Sequence, residues 1–399
     1  MTKCPADMAS LASYFDGCSI NQASSSLLNL KVVARATPDF FPELLPFIWE
    51  VALEGEPFLG DKRLISNPGN IELIQLDCLR ILANAFLCRF SDRPSNNCRS
   101  GERLPSINFD ELFGGPGSQS AARAKLKMIL EYFRRMRERV MAGESLLRPI
   151  RFTRLQATAA LAQDWLGCST VLIPPVIEPL GQSLDDARGA IRVDFANRII
   201  GGAAIAYGSA QEEIMFCLCP ELIATRLYFP ALRDDEALML RGTEQFSLAS
   251  GYGSDLTFAG RFIDSSLHDS EGLLTSWILA VDALDFRDVD RRSQYSKDSE
   301  LRELNKLWAG LCTMEGPREL ATGHWGCGIF GGDPSLKFLI QWAASSRAGK
   351  VLRYFPWDDG EFADKAPNFA ANVTRETPTV ALLVQRLFDH TYPSLVDTQ

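Results

Sequence analysis

Ile191-Arg192-Val193-Asp194-Phe195 is followed closely by Asn197 and then by Gly201-Gly202-Ala203-Ala204-Ile205-Ala206-Tyr207-Gly208-Ser209-Ala210-Gln211-Glu212-Glu213. The first five residues alternate with period two, as a half-buried strand does. A loop of small residues comes next, and it delivers two adjacent carboxylates to an apolar run of helical period, Glu212 to Phe229. Downstream, Ala237 to Leu240, Ser276 to Val281 and Val351 to Phe355 read as strands, while Ser299 to Leu311, Ser335 to Ser346 and Val380 to Phe388 read as helices. Strands alternating with helices predict a layered α/β domain with a parallel or mixed sheet, its ligand site lying beyond the strand ends.

Upstream the texture differs. Residues 1–150 read as mainly helical, with apolar clusters at Phe41 to Val51 and Ile71 to Phe90, and Ser91 to Gln119 holds too many Pro, Gly, Ser and Asn residues for regular structure. The sequence divides into a helical accessory domain, 1–150, and an α/β domain, 151–399. Between Arg123 and Val140, seven Arg and Lys residues share a helical pattern with Leu126, Ile129, Leu130, Phe133 and Val140. It reads as an amphipathic helix with a solvated basic face, the alternative being a surface that holds a polyanion.

A chain of 399 residues, 46% hydrophobic, can bury a large core, and its net charge of −9 opposes a broad nucleic-acid surface. No apolar run of about 18 residues is present, and Met1 to Asp7 lacks a secretory pattern, so the expectation is an intracellular protein of nucleus and/or cytoplasm. Ten scattered cysteines fit reduced thiols. With only His268, His324 and His390 available, metal-hydrolase and serine-triad readings lack material.

The loop before Glu212 and Glu213 leaves room for a ligand to approach backbone N–H groups, and the carboxylates offer proton transfer; together they suggest glycosidic-bond chemistry beside a phosphate-bearing ligand. Read alone, the same residues are a plain turn and a favourable acidic first turn of a helix. A general acid must keep a proton that a helix N-terminus tends to remove, and a neighbouring carboxylate with a bound diphosphate opposes that removal. Asp194 and Asn197, at a strand end, can bond ribose hydroxyls or form an Asx turn. Gly326-x-Gly328-x-x-Gly331 matches a dinucleotide fingerprint in letters but lies late in the chain and lacks the downstream acidic strand end. Its glycines permit close approach, and a helix beginning near Pro334 is expected to aim its N–H groups at a diphosphate. Tyr252, Phe330 and Trp357 are loop aromatics, able to pack on a base or a ribose or simply on the protein.

In these strings the chain resembles the poly(ADP-ribose) glycohydrolases. Val193-Asp194-Phe195-Ala196-Asn197-Arg198, the Gly-Gly loop ending Gln211-Glu212-Glu213-Ile214, Pro220-Glu221-Leu222-Ile223, Gly242-Thr243-Glu244-Gln245 and Thr322-Gly323-His324-Trp325-Gly326-Cys327-Gly328 stand in the family's order, with Leu82 to Phe86 and Tyr132 to Arg135 upstream. The resemblance implies a macrodomain-like three-layer α/β/α domain with a mixed sheet, preceded by a mainly helical accessory domain. It implies a catalytic set of Glu213, Glu212 and Asp194, with Glu213 as the acid, Glu212 as the holder of ribose hydroxyls, and Asp194 and Asn197 as a polar pair of the same pocket. Gly201, Gly202 and Gln211 contact substrate, and Tyr252 closes over it. The loop His324, Trp325, Gly326, Cys327, Gly328, Ile329 and Phe330 takes the diphosphate, Trp357 stacks, and Leu184 and Asp185 meet adenine across a one-residue gap in the match.

The implied reaction cleaves the ribose–ribose O-glycosidic bond of poly(ADP-ribose) on modified proteins and releases ADP-ribose. Glu213 protonates the leaving 2′-oxygen and then activates water. No cofactor or metal, no direct DNA contact, no membrane and a monomeric protein are expected. The alternatives are a macrodomain reader that holds ADP-ribose without cleaving it and, from the Gly326 fingerprint, a nicotinamide-dependent oxidoreductase. Four positions depart from the family pattern: Ala203 replaces a common third glycine and is expected to narrow the loop and resist positive φ; His324 stands where asparagine is frequent, Ala249 where animal members have tyrosine, and Trp357 where phenylalanine is found.

Overall fold

The computed structural model describes residues 3–18, 27–54, 65–90, 104–115, 117, 119–157, 164–313 and 315–392. In chain order the strands are β1 (Gly69–Ile74), β2 (Pro149–Gln156), β3 (Val176–Ile177), β4 (Ile191–Ala196), β5 (Glu236–Arg241), β6 (Ser247–Ser250), β7 (Thr257–Arg261), β8 (Trp277–Asp282), β9 (Glu319–Gly323) and β10 (Val351–Phe355). Two compact units form: Met1–Phe152 with Ile199–Ala231 and Gly242–Leu274, and Thr153–Arg198 with Leu232–Arg241 and Thr275–Gln399.

The first unit is mainly helical around an aromatic core. The ring of Phe86 meets Phe113 at 5.1 Å, Phe133 at 5.7 Å and Phe109 at 6.1 Å, in edge-on geometries that suit the ring quadrupoles. Helix Gln119–Met141 runs without Gly or Pro, and its buried stripe includes Leu126, Ile129, Leu130, Phe133 and Met136. Its basic residues are only in part a free solvated face, with Lys127 exposed. Arg134 pairs with Asp39 and Glu131 at 2.8 Å, Arg137 with Glu43 at 2.9 Å and Arg139 with Glu244 at 2.6 Å. Lys125 is buried outright. Ile71 to Ile74 belong to β1, and the helix expected there starts at Gln75 and ends at Phe86. Residues 91–103, the first part of the breaker-rich loop, lie outside the described residues; Asp110–Gly114 within its remainder is a short helix.

The sheet of the second unit runs β2-β5-β8-β4-β9-β10-β3. β8, β4, β9, β10 and β3 are mutually parallel, while β5 pairs with β8 antiparallel, so the sheet is mixed, as expected. β4 is not half-buried. It lies between β8 and β9, and both Arg192 and Asp194 are enclosed, because a central parallel strand is covered on both faces. Ile191, Val193, Leu279 and Val281 share one core with Leu304, Leu307, Trp308, Leu339, Trp342 and Leu383, from helices Lys297–Leu311, Pro334–Arg347 and Val380–Phe388.

Two elements differ from the periodic reading. The run from Glu212 is helical only in Gln211–Leu218, and Pro220–Leu227 is a 3₁₀ segment, since Pro220 has no N–H to continue the α ladder. Helix Gly360–Glu376 forms despite Pro367 in its interior, capped by the Asp359 carboxylate on Phe362 N–H at 2.9 Å. Among the described residues no helix is long and apolar enough to cross a membrane.

Gly310 marks how closely helix Lys297–Leu311 approaches β8, because a Cβ there would overlap the methyl groups of buried Leu279. Alanine gains up to about 1 kcal/mol of helix propensity over glycine, whereas overpacking a filled core costs about 1–3 kcal/mol. Gly310→Ala is therefore expected to destabilise the protein by about 1 kcal/mol net, read as a lowered thermal midpoint; an unchanged or raised midpoint would refute this packing account.

Candidate active site

The first unit gathers the paired carboxylates and their loop. Glu212 and Glu213 occupy the first turn of helix Gln211–Leu218. Glu212 is buried, and its Oε1 accepts the Gly201 N–H at 2.7 Å. Glu213 reaches back over the loop, Oε2 accepting the Ala210 N–H at 2.8 Å and Oε1 the Ala203 N–H at 3.2 Å. The bond to Ala210, the N-cap, is the acidic half of a capping box. Gly201 and Gly202 have φ of 79° and 42°, a left-handed turn that a side chain resists. Space is a second constraint at Gly202, where a Cβ would stand 2.5 Å from Glu213 Oε1 and 2.9 Å from Glu212 Oε2.

Buried cations hold the loop from its carbonyl side. Arg226 Nη1 donates to Ile200 O at 3.0 Å and Gly202 O at 2.9 Å. Burial pulls its guanidinium down to about 10, an effect that the charges of Glu212, Glu111 and Glu213 oppose. Lys125 Nζ donates to the carbonyls of Ala203, Ala206 and Gly208. The sequence reading missed both cations. The signal for Lys125 was its place four residues before Ile129, on the apolar stripe. Tyr252 follows β6; burial raises its phenol, the charge of Glu213 raises it further, and a hydrogen bond from the Gln211 backbone lowers it. Gly201, Gly202, Gln211, Glu212, Glu213 and Tyr252 thus form one cluster.

Ala203 does not have positive φ among the described residues. Room for its methyl group comes from Gly208, where a Cβ would stand 2.8 Å from the Ala203 Cβ. The expected strain at Ala203 is absent for that reason.

The second unit sets its residues at the carboxyl ends of three neighbouring parallel strands. Asp194 lies within β4 and Asn197 just past it, His324 to Phe330 follow β9, and Trp357 follows β10. The Trp325 ring is fully buried and donates from Nε1 to Val281 O at 2.9 Å, anchoring the turn. Gly326 has φ of 75°, and a Cβ there would stand 2.5 Å from the Ala283 Cβ. Gly332 N–H closes the turn on Gly326 O at 2.9 Å. Among the described residues, the N–H groups of Gly328, Ile329 and Phe330 have no backbone acceptor, and Ile329 is exposed, an arrangement suited to an anion. Burial pushes the Cys327 thiol up.

The helix that follows does not supply these donors. Asp333 caps helix Pro334–Arg347, its carboxylate accepting Leu336 N–H at 2.7 Å and Tyr295 OH at 3.1 Å. The place expected for a diphosphate at that terminus is taken by an aspartate.

His324 bonds Tyr354 OH through Nδ1 at 2.7 Å and Asp359 through Nε2 at 3.2 Å. Burial lowers its pKa below the ordinary 6.5, against the opposing pull of Asp359. Trp357 is half exposed with φ of 61°. Leu184 packs on Phe355, Ala321 and Ala187, and Asp185 lies 3.9 Å from the Arg192 guanidinium. Phe330 is partly buried, with Arg287 stacked 5.4 Å from its ring.

Residues 162–364 match the family described as "Poly (ADP-ribose) glycohydrolase (PARG), Macro domain fold", and residues 33–166 match its helical domain. Poly(ADP-ribose) glycohydrolase 1 of Arabidopsis thaliana is 32% identical over 340 residues, covering 67% of this chain and 60% of that protein. Probable poly(ADP-ribose) glycohydrolase 2 of the same plant is 29% identical over 383 residues, covering 80% and 72%. The solved poly(ADP-ribose) glycohydrolase of Thermomonospora curvata is 18% identical, with a TM-score of 0.34 over 56% of this chain and 85% of that one, a likeness too loose to bear on the site. The chain spans about 60% of the length of the first plant relative. With the macrodomain match extending over half its residues and the helical match before it, the chain belongs to the poly(ADP-ribose) glycohydrolase family.

Proposed function

We propose that the protein is an active poly(ADP-ribose) glycohydrolase that hydrolyses ribose–ribose O-glycosidic bonds and releases ADP-ribose. The observation that carries this reading is the Glu212–Glu213 pair, oriented by the amides of Gly201, Ala203 and Ala210 beside Gly202, whose lack of a side chain leaves room for both carboxylates. Family membership supports it.

In this mechanism Glu213 transfers its proton to the leaving 2′-oxygen as the C1″–O bond breaks and an oxocarbenium-like ribose forms. The resulting carboxylate takes a proton from water, whose oxygen attacks C1″, and Glu213 returns to its protonated form. Glu212 accepts from ribose hydroxyls, Gln211 contacts substrate, and Tyr252 covers it. For the second unit the same reading gives Asp194 and Asn197 to polar contacts with ribose. His324 to Phe330 go to the diphosphate through backbone N–H groups, Leu184 and Asp185 to adenine, and Trp357 to stacking. The accessory role of residues 1–150, the catalytic role of 151–399, polymer on modified proteins as substrate, a monomeric state, no direct DNA or membrane contact, and residence in nucleus and/or cytoplasm belong to the same proposal.

Glu213→Gln is expected to lower ADP-ribose release from polymer-bearing protein by about 10³-fold, within the range for general acid–base groups, while ADP-ribose affinity persists. Wild type that binds polymer but releases nothing would leave the reader alternative standing. Gly202→Ala should be as inactive as Glu213→Gln, since its methyl group must displace both carboxylates; near-normal turnover would refute this geometry. His324 adds a pH dependence. Its folded pKa is lowered, so the unfolded chain binds that proton more readily, and the stability it contributes is whole above about 6.5 and lost as pH falls. His324→Asn should lose less thermal stability than wild type between about pH 7.5 and about pH 5; parallel losses would assign the dependence elsewhere.

A further inference from the structure

Lys125 sits in the second turn of helix Gln119–Met141 with no solvent exposure. Its ammonium donates to three backbone carbonyls, Ala203 at 3.2 Å, Ala206 at 2.9 Å and Gly208 at 2.5 Å. An ammonium has three donors, so one side chain meets the loop at three points. Burying a charge is costly unless it is well bonded. The helix itself has no need of one there, because leucine or methionine would extend the stripe formed by Leu126, Ile129 and Phe133 and has comparable propensity. What explains the cation is the loop.

Ala203 links the two sides. Its carbonyl accepts from Lys125, and its N–H donates to Glu213 Oε1 at 3.2 Å. The Gly208 N–H also closes on Ala203 O, at 3.1 Å. With the carbonyls of Ala203, Ala206 and Gly208 drawn to the ammonium, the arch has one orientation, and the amide that meets Glu213 is fixed by it. Burial lowers the pKa of Lys125, and the negative charge of Glu213 opposes that loss.

We infer that Lys125, supplied by the helical part of the chain, is a positioning residue for Glu213: it locks the Ala203–Gly208 arch and through Ala203 sets where the acid points. The kinetic consequence rests on the glycohydrolase reading; the locking of the arch does not.

Three variants test this. Lys125→Met keeps the stem and removes the donors, Lys125→Gln keeps a polar terminus of shorter reach, and Ile129→Ala damages the same helix's buried face one turn further on. Amide hydrogen exchange over Ala203 to Ala210, ADP-ribose affinity and turnover are measured on each full-length protein. In Lys125→Met the loop amides should exchange about 10-fold faster or more, and kcat should fall about 100-fold, the scale of an ångström's misplacement, while Kd for ADP-ribose stays within about threefold. Lys125→Gln should fall between, and it carries the comparison if the methionine variant does not fold. Ile129→Ala should lower the melting temperature and leave loop exchange and kcat at wild-type values.

Wild-type loop exchange in Lys125→Met or Lys125→Gln would overturn the inference. So would equal loosening in Ile129→Ala, which would make the effect one of general stability. A wild type that releases no ADP-ribose defeats the glycohydrolase reading, and the exchange data then still decide whether Lys125 holds the arch.

Discussion

Between Ile199 and Ala210 the peptide groups are sorted by polarity. Carbonyls of Ile200, Gly202, Ala203, Ala206 and Gly208 face two buried cations, while N–H groups of Gly201, Ala203 and Ala210 face two carboxylates. A turn without helix or strand has to satisfy its buried backbone some other way, and hydrogen bonds to charged groups are the stronger kind, about 1.5–3 kcal/mol each. The same sorting brings two carboxylates to one place without leaving either unsupported. Stability of the loop and orientation of the acid therefore share one set of bonds.

Much of this was legible in the sequence, and the reasons are physical. Strand, small-residue loop and acidic helix start appear in order from Ile191 to Glu213, because each has its own periodicity or composition. The paired acids and Gly201-Gly202 were found since their chemistry and steric need are local. Lys125 was not, because a charged residue among seven basic ones reads as solvent-facing; only its partners' carbonyls, 78 residues away and more, reveal it. The Asp333 cap was visible in sequence as an aspartate before Pro334, but a capping residue and an anion site make the same demand on a helix terminus. β9 escaped notice because five residues ending Ala321-Thr322-Gly323 have no clear alternation, and the Gly360–Glu376 helix was hidden by Pro367.

Ala203 illustrates how a substitution can be judged wrongly from one position. The sequence compares it with a glycine and counts a methyl group added. In the folded loop that methyl faces Gly208, where a side chain would collide with both it and Glu213. Volume added at one end of the arch is matched by volume absent at the other, an exchange that packed interiors commonly allow.

Helix Gln119–Met141 emerges from synthesis well before Ala203 exists, and the chain between them includes the strands β2, β3 and β4. Until the loop arrives, the Lys125 ammonium remains hydrated; its desolvation is deferred to a contact of long sequence separation, which forms late and slowly because closing so long a stretch of chain costs entropy first. A half-made protein therefore carries a helix with a wet lysine in its apolar stripe and no oriented acid. The orientation of Glu213 thus depends on a contact between distant parts of the chain, and cutting the chain near residue 150 would remove the cation that closes it.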